Sequence, residues 1–175
     1  MSRGVKVSSK SREVVRDPIY GSKILTKLVN CVMCDGKKSV AQRIVYGAID
    51  DVSGKILTLF TEHNENEENA TDEQKVIWFL EYIINKIAMM TEIRSRRMGG
   101  SNYRIPFTVS VRRAVSVAIR RIVLGAQNRK ERTMRKRLAA ELIAIIGGTG
   151  EVLKMLETLR KDIDANRAFA HYANK

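Results

Sequence analysis

The sequence predicts a mainly α protein: a single domain of about six helices, with one β-hairpin inserted between the third and fourth. Three observations predict it. Apolar residues recur three and four positions apart in successive segments, the period of a helix that buries one face. Gly, Asp and Pro breakers separate those segments. Only residues 92–109 trade that period for extended character, around Gly99-Gly100. At 175 residues and 44% hydrophobic content, the chain has one domain's length and enough apolar side chain for a core.

The elements follow in order. Arg3, Lys6, Lys10, Arg12 and Arg16 make residues 1–16 a basic arm. Asp17-Pro18 reads as the N-cap and first position of a helix, because a carboxylate caps free N–H groups and proline has none to lose. Ile24, Leu25, Leu28, Val29 and Val32 give that helix its face, and Asp35-Gly36 stops it. A second helix spans about Ser39 to Asp51. Gly54 follows, then a short apolar run, Ile56–Phe60. Residues 61–73 hold six acids and no Lys or Arg, and read as a solvated loop. Residues 75–90 are apolar almost all round, the mark of a central, buried helix. Trp78 and Phe79 are therefore expected in the core rather than as a stacking platform. Pro106 cannot donate to a central ladder, which suits a two-stranded ribbon, here expected with a loop longer than two residues. Val111, Val115, Ala118, Ile119, Ile122 and Val123 face a fourth helix. A fifth runs over about 133–146 to Gly147-Gly148. A sixth carries Val152, Leu153, Leu156, Leu159 and Ile163.

Charge points to function. The net charge is +13, and the cations are clustered. Such a chain attracts polyanions over long range. No apolar run is long enough to span a bilayer, so no membrane partner is expected. From Glu92 to Arg113 there are six arginines and one acid. Arginine's planar fork pairs with phosphate oxygens and stacks on bases, so this stretch reads as an RNA-contacting finger. Arg112, Arg113, Arg120 and Arg121 are spaced by seven and eight, about two helical turns, and so form a phosphate-binding stripe. Arg129, Lys130, Arg132, Arg135, Lys136 and Arg137 extend the cluster, against Glu131 alone.

Other motifs carry less. Cys31-Val-Met-Cys34 lacks the further ligands a zinc site needs, and its cysteines fall among apolar helix residues, so core packing is expected. Gly147-Gly148-Thr149-Gly150 lacks the Lys-Ser/Thr ending of a P-loop. No nucleophile–base order stands out. The reading is therefore non-enzymatic, with no cofactor and no metal. Its alternatives are a generic basic helical DNA-binding module and a thiol enzyme.

The chain resembles the small-subunit ribosomal protein seven family of bacterial and organellar type. The resemblance rests on Asp17-Pro-Ile-Tyr-Gly-Ser, Leu28-Val-Asn, Asp35-Gly-Lys-Lys-Ser39, Ile44-Val-Tyr, Arg94-Ser-Arg-Arg-Met-Gly-Gly-Ser-Asn-Tyr103, Pro106 and Ala165-Asn-Arg-Ala-Phe-Ala-His-Tyr172. It implies six helices and a hairpin. It also implies binding to the three-prime major domain of small-subunit rRNA, nucleation of the subunit head, and a place near exit-site tRNA, the mRNA exit path and neighbouring head and platform proteins. Carried onto this sequence, it makes the arm through Arg16, Lys37, Lys38, Arg94, Arg96, Arg97, Arg112 and Arg113 rRNA-binding, beside Arg120 and Arg121 from the stripe. It makes Gly99, Gly100, Ser101, Asn102, Tyr103, Arg167, His171 and Tyr172 tRNA-proximal. Ser110-Val111 and Lys154-Met155-Leu156 depart from the family's Arg-Pro and Lys-Lys-Arg. These departures point to an organellar ribosome, with the mitochondrial matrix favoured over plastid stroma or bacterial cytoplasm.

Overall fold

The computed structural model describes residues 14–63 and 70–172. Arg3, Lys6, Lys10 and Arg12 of the arm lie outside the described residues. The element order is α1 (Lys23–Val32), α2 (Lys38–His63), α3 (Asp72–Ile87), β1 (Thr91–Met98), β2 (Ser101–Thr108), α4 (Val111–Gln127), α5 (Met134–Ile146) and α6 (Glu151–Ala165). A 3-10 turn, Arg167–Tyr172, follows. The expected class holds: helices with one antiparallel hairpin between the third and fourth.

The core forms where the apolar stripes meet. Leu25, Val29, Val45, Phe79, Ile83, Ile119, Leu138 and Leu142 are all buried within it. α3 touches each of the other five α-helices, as its nearly all-round apolar surface predicts. Phe79 is fully buried. Trp78 is only half-buried and stacks on Tyr82, ring centroids 5.4 Å apart. Thr71 caps α3 by a capping box with Gln74, each side chain accepting from the other's backbone N–H. The Thr-x-x-Gln signature stood in the sequence unread.

Several boundaries differ from expectation, each for a local reason. Asp17 is not a helix N-cap. It is buried and accepts from the N–H groups of Ile19 and Tyr20 (3.2 Å each), closing a turn, while Ser22 caps α1. The helix thus starts at Lys23. α2 does not stop at Asp51. It runs through Gly54 to His63, because Val52, Ile56 and Phe60 continue one buried face. Tertiary burial there outweighs the roughly 1 kcal/mol helix cost of a glycine. The 61–73 stretch is accordingly not all loop: 61–63 end α2 and 72–73 begin α3. Val111, expected on the inner face of α4, is 63% exposed, and Ala114 takes its place inside. Both cysteines, expected in the core, lie at the surface.

Candidate nucleic-acid interface

The hairpin is more regular than its sequence promised. Its strands are eight residues each, paired from Thr91↔Thr108 to Met98↔Ser101. The connection is therefore two residues, Gly99-Gly100, and not a longer loop. Both have positive φ (55° and 87°), the conformation of a type I′ turn and one that suits glycine. Eight residues extend about 26 Å at ~3.3 Å each. The base is buried through Ile105, Pro106 and Val109, while Gly99, Gly100, Ser101 and Asn102 at the tip are exposed.

Strand alternation splits the three arginines of β1. Arg94 and Arg96 share one face of the ribbon, and Arg97 takes the other. Arg94 lies over the Phe107 ring, 5.5 Å from its centroid, with Nη2 3.6 Å from Glu92 Oε2. Arg96 donates to the backbone carbonyl of Tyr172 at 3.0 Å. Arg97 is exposed.

The C-terminal turn braces the ribbon. Phe169 meets Tyr103 with ring centroids 5.2 Å apart. Arg104 reaches Asp162 of α6 at 3.5 Å. Tyr103 is thus half-buried against its own chain, whereas Arg167 and His171 are exposed. The His171 ring lies 3.7 Å from that of Tyr172. Sequence reasoning read no element here, because the apolar period ends at Ile163.

The α4 stripe is uneven. Arg112, Arg113 and Arg120 are exposed, and Arg121 is half-buried. Burial pulls Arg121's pKa down, partly offset by the Glu92 charge. Arg113 instead chelates Glu92, its Nε donating to both carboxylate oxygens at 2.9 Å. That pairing raises the Arg113 pKa and lowers the Glu92 pKa. Seven residues further on, about 10 Å along the helix, Arg120 is near enough to the Cys31 thiol of α1 for its charge to act on it, as is Lys27. Lys37 joins Cys34, Gln127 and Met134 around a shallow apolar groove where α4, α5 and the α1–α2 turn meet. Lys37 and Lys38 are exposed, as is Arg16. A cationic face therefore runs from the hairpin base along α4 to that turn. Lys27 belongs to it and was missed, because it sits singly among apolar residues.

Three of the 129–137 cations, Arg129, Arg135 and Arg137, turn to partners within the chain, while Lys130, Arg132 and Lys136 are exposed. Arg129 binds Glu141, which is wholly buried, at 2.9 Å, and also Glu131 at 3.1 Å. Glu141 in turn accepts from Val152 N–H at 3.0 Å, supplying the cap that Gly150 lacks at the start of α6. Arg135 pairs with Asp51, and Arg137 donates to the carbonyls of Glu131 and Gln127. These are structural ties.

No group of three or more metal-ligating side chains occurs among the described residues. Burial, foremost, pushes the Cys31 thiol pKa up, against the cations beside it, so the structure does not favour a thiolate nucleophile there.

Comparison with known proteins fits this arrangement. The family model described as ribosomal protein S7p/S5e matches residues 4–167. The chain belongs to that family. Among its S7p/S5e relatives, a protein of Caldicellulosiruptor saccharolyticus named small ribosomal subunit protein uS7 is 43% identical over 164 residues, covering 93% of this chain and 94% of the relative. Proteins of the same name from Petrotoga mobilis and Methylobacterium radiotolerans are 41% and 39% identical over 165 residues, each alignment covering 94% of this chain and 96% of the relative. All three organisms are bacteria. The S7p/S5e relatives thus give the mitochondrial expectation no support over the bacterial cytoplasm.

Proposed function

We propose that this protein is a structural component of the small ribosomal subunit. It binds the three-prime major domain of the small-subunit rRNA and nucleates assembly of the head. It lies near exit-site tRNA and the mRNA exit path, beside head and platform proteins, and performs no catalysis. The observation that carries the reading is the exposed arginine-rich hairpin, continuous at its base with the cationic face of α4, in a chain of the ribosomal S7p/S5e family. Its mechanism is counterion release combined with shape recognition. Arg94, Arg96, Arg97, Arg112, Arg113 and Arg120 contact rRNA, together with Lys37, Lys38 and the basic arm. The tip, Gly99 to Asn102, and the exposed Arg167 and His171 approach tRNA. The ribosome is a bacterial-type one, and the bacterial relatives favour the bacterial cytoplasm.

The test is a salt-titrated binding assay against a transcript of the three-prime major domain, with duplex DNA and an unrelated structured RNA as competitors. Tight binding that survives both competitors is expected. Equal loss to all three polyanions would reduce the chain to a generic basic domain, and preference for the duplex would make it a DNA-binding module. Replacing Arg94, Arg96 and Arg97 together with Ala is expected to lower the salt slope by about two to three units, if each meets one phosphate. The cooperative thermal transition should remain, and its loss would show these arginines to be structural instead.

A further inference from the structure

Glu92 is the lone acid between positions 92 and 113. It stands at the foot of β1, opposite Phe107, with its side chain only 12% exposed. Arg113, from the first turn of α4, holds it in a fork: Nε at 2.9 Å from both carboxylate oxygens and Nη2 at 2.8 Å from Oε2. Arg94 approaches the same Oε2 at 3.6 Å while lying over Phe107. Arg121, two turns beyond Arg113, feels the same carboxylate. Cations from the ribbon and from α4 thus converge on one nearly buried acid.

By charge alone, Glu92 weakens the attraction of this face for phosphate. By geometry it does the reverse. An arginine loses side-chain freedom when it binds, and one already fixed by a carboxylate has less to lose. Arg113 spends Nε and Nη2 on Glu92, and its Nη1 takes no part in those contacts. That leaves donors for a second acceptor.

We infer that Glu92 is a positioning residue for RNA recognition: it holds Arg94 of the hairpin and Arg113 of α4 at a fixed spacing, so that both guanidinium groups meet a folded RNA backbone as one preset clamp. The inference rests on the RNA-binding reading above and deepens it. It assigns discrimination between a structured RNA and any other polyanion to an acid, not to a further cation.

The two roles of Glu92 predict opposite results for Glu92→Gln, which removes a negative charge and keeps the side chain's size. The full chain is titrated with the three-prime major domain transcript and, separately, with duplex DNA of similar length. The inference expects transcript binding to weaken roughly tenfold, the scale of one lost charge-assisted contact, while DNA binding holds or tightens. Equal tightening on both, equal weakening on both, or no change on either overturns it. Arg113→Lys is the second variant. It keeps the charge but cannot form the two-pronged contact, and the same collapse of preference is expected. Should Glu92→Gln lack a cooperative unfolding transition, Arg113→Lys decides alone, and an unchanged preference overturns the inference. A wild-type chain without transcript preference would instead overturn the ribosomal reading, and this inference with it.

Discussion

The hairpin stretch 92–113 and the connection 129–137 look alike in sequence, each rich in arginine with a single acid. Their guanidinium groups face different things. On the hairpin, the one acid sits at the base, and Arg97 stands clear at the surface. In the connection, Arg129 turns inward to a buried carboxylate, Arg135 crosses to Asp51 on α2, and Arg137 caps carbonyls. The hairpin pairs arginines along its base and back, with Glu92, Asp162 and the Tyr172 carbonyl, and leaves Arg97 exposed beside its tip. The connection uses three of its six cations to tie α2, α5 and α6 together and leaves Lys130, Arg132 and Lys136 exposed. A count of cations along the chain cannot separate the two, because the deciding acids, Asp51 and Glu141, lie remote in sequence or inside an apolar helix face.

The largest effect should come from Arg129→Ala. It leaves Glu141 fully buried without its counter-charge, and such a loss costs about 3–5 kcal/mol. Equilibrium denaturation should show this, while Arg97→Ala stays within about 0.5 kcal/mol. Equal stabilities for the two variants would erase the contrast between the regions.

Gly125→Ala probes the same tie by volume. A Cβ there would come within 2.6 Å of Val152 Cγ2 and 3.1 Å of Glu141 Oε1. The expected cost is about 1–3 kcal/mol, read as a lowered denaturation midpoint.

Another buried acid, Asp17, lies at the end of the basic arm and accepts from Tyr46 Oη at 2.7 Å. Burial, foremost, and this hydrogen bond push the tyrosine pKa up to about 12 from 10.0. Raised in the folded state, it contributes stability that is full below about pH 10 and lost as pH rises through about 12. Tyr46→Phe should therefore cost about 1 kcal/mol at neutral pH and flatten the alkaline decline. An unchanged alkaline limb would remove Tyr46 as its source.

The smallest effect concerns the two exposed thiols. Native alkylation should be slower at Cys31 than at Cys34, because burial raises the Cys31 pKa and the thiolate is the nucleophile. Bound transcript should slow Cys31 further, since the charges of Arg120 and Lys27, part of the cationic face, act on it. Labelling of Cys31 at an unchanged rate in the complex would take the α1 end off the interface.

Much of this was legible from the sequence. Helical periodicity set the class, the order of elements and most core positions, from Leu25 to Leu156. The arginine-rich ribbon was legible from composition and from Gly99-Gly100. Its two-residue turn was not read, because the register that fixes it is a property of both strands together. The continuation of α2 past Gly54 was hidden for a related reason: the partners that bury Val52, Ile56 and Phe60 come from elsewhere in the chain.

By itself, then, the sequence determined the class, the order of the elements, where the ribbon lies and that the molecule is cationic, since period, turn chemistry and charge are local properties. Only the tertiary structure decided which cations remain for a partner. Ion pairing depends on distance in space: Arg129 meets Glu141 across twelve residues, and Arg135 meets Asp51 across eighty-four.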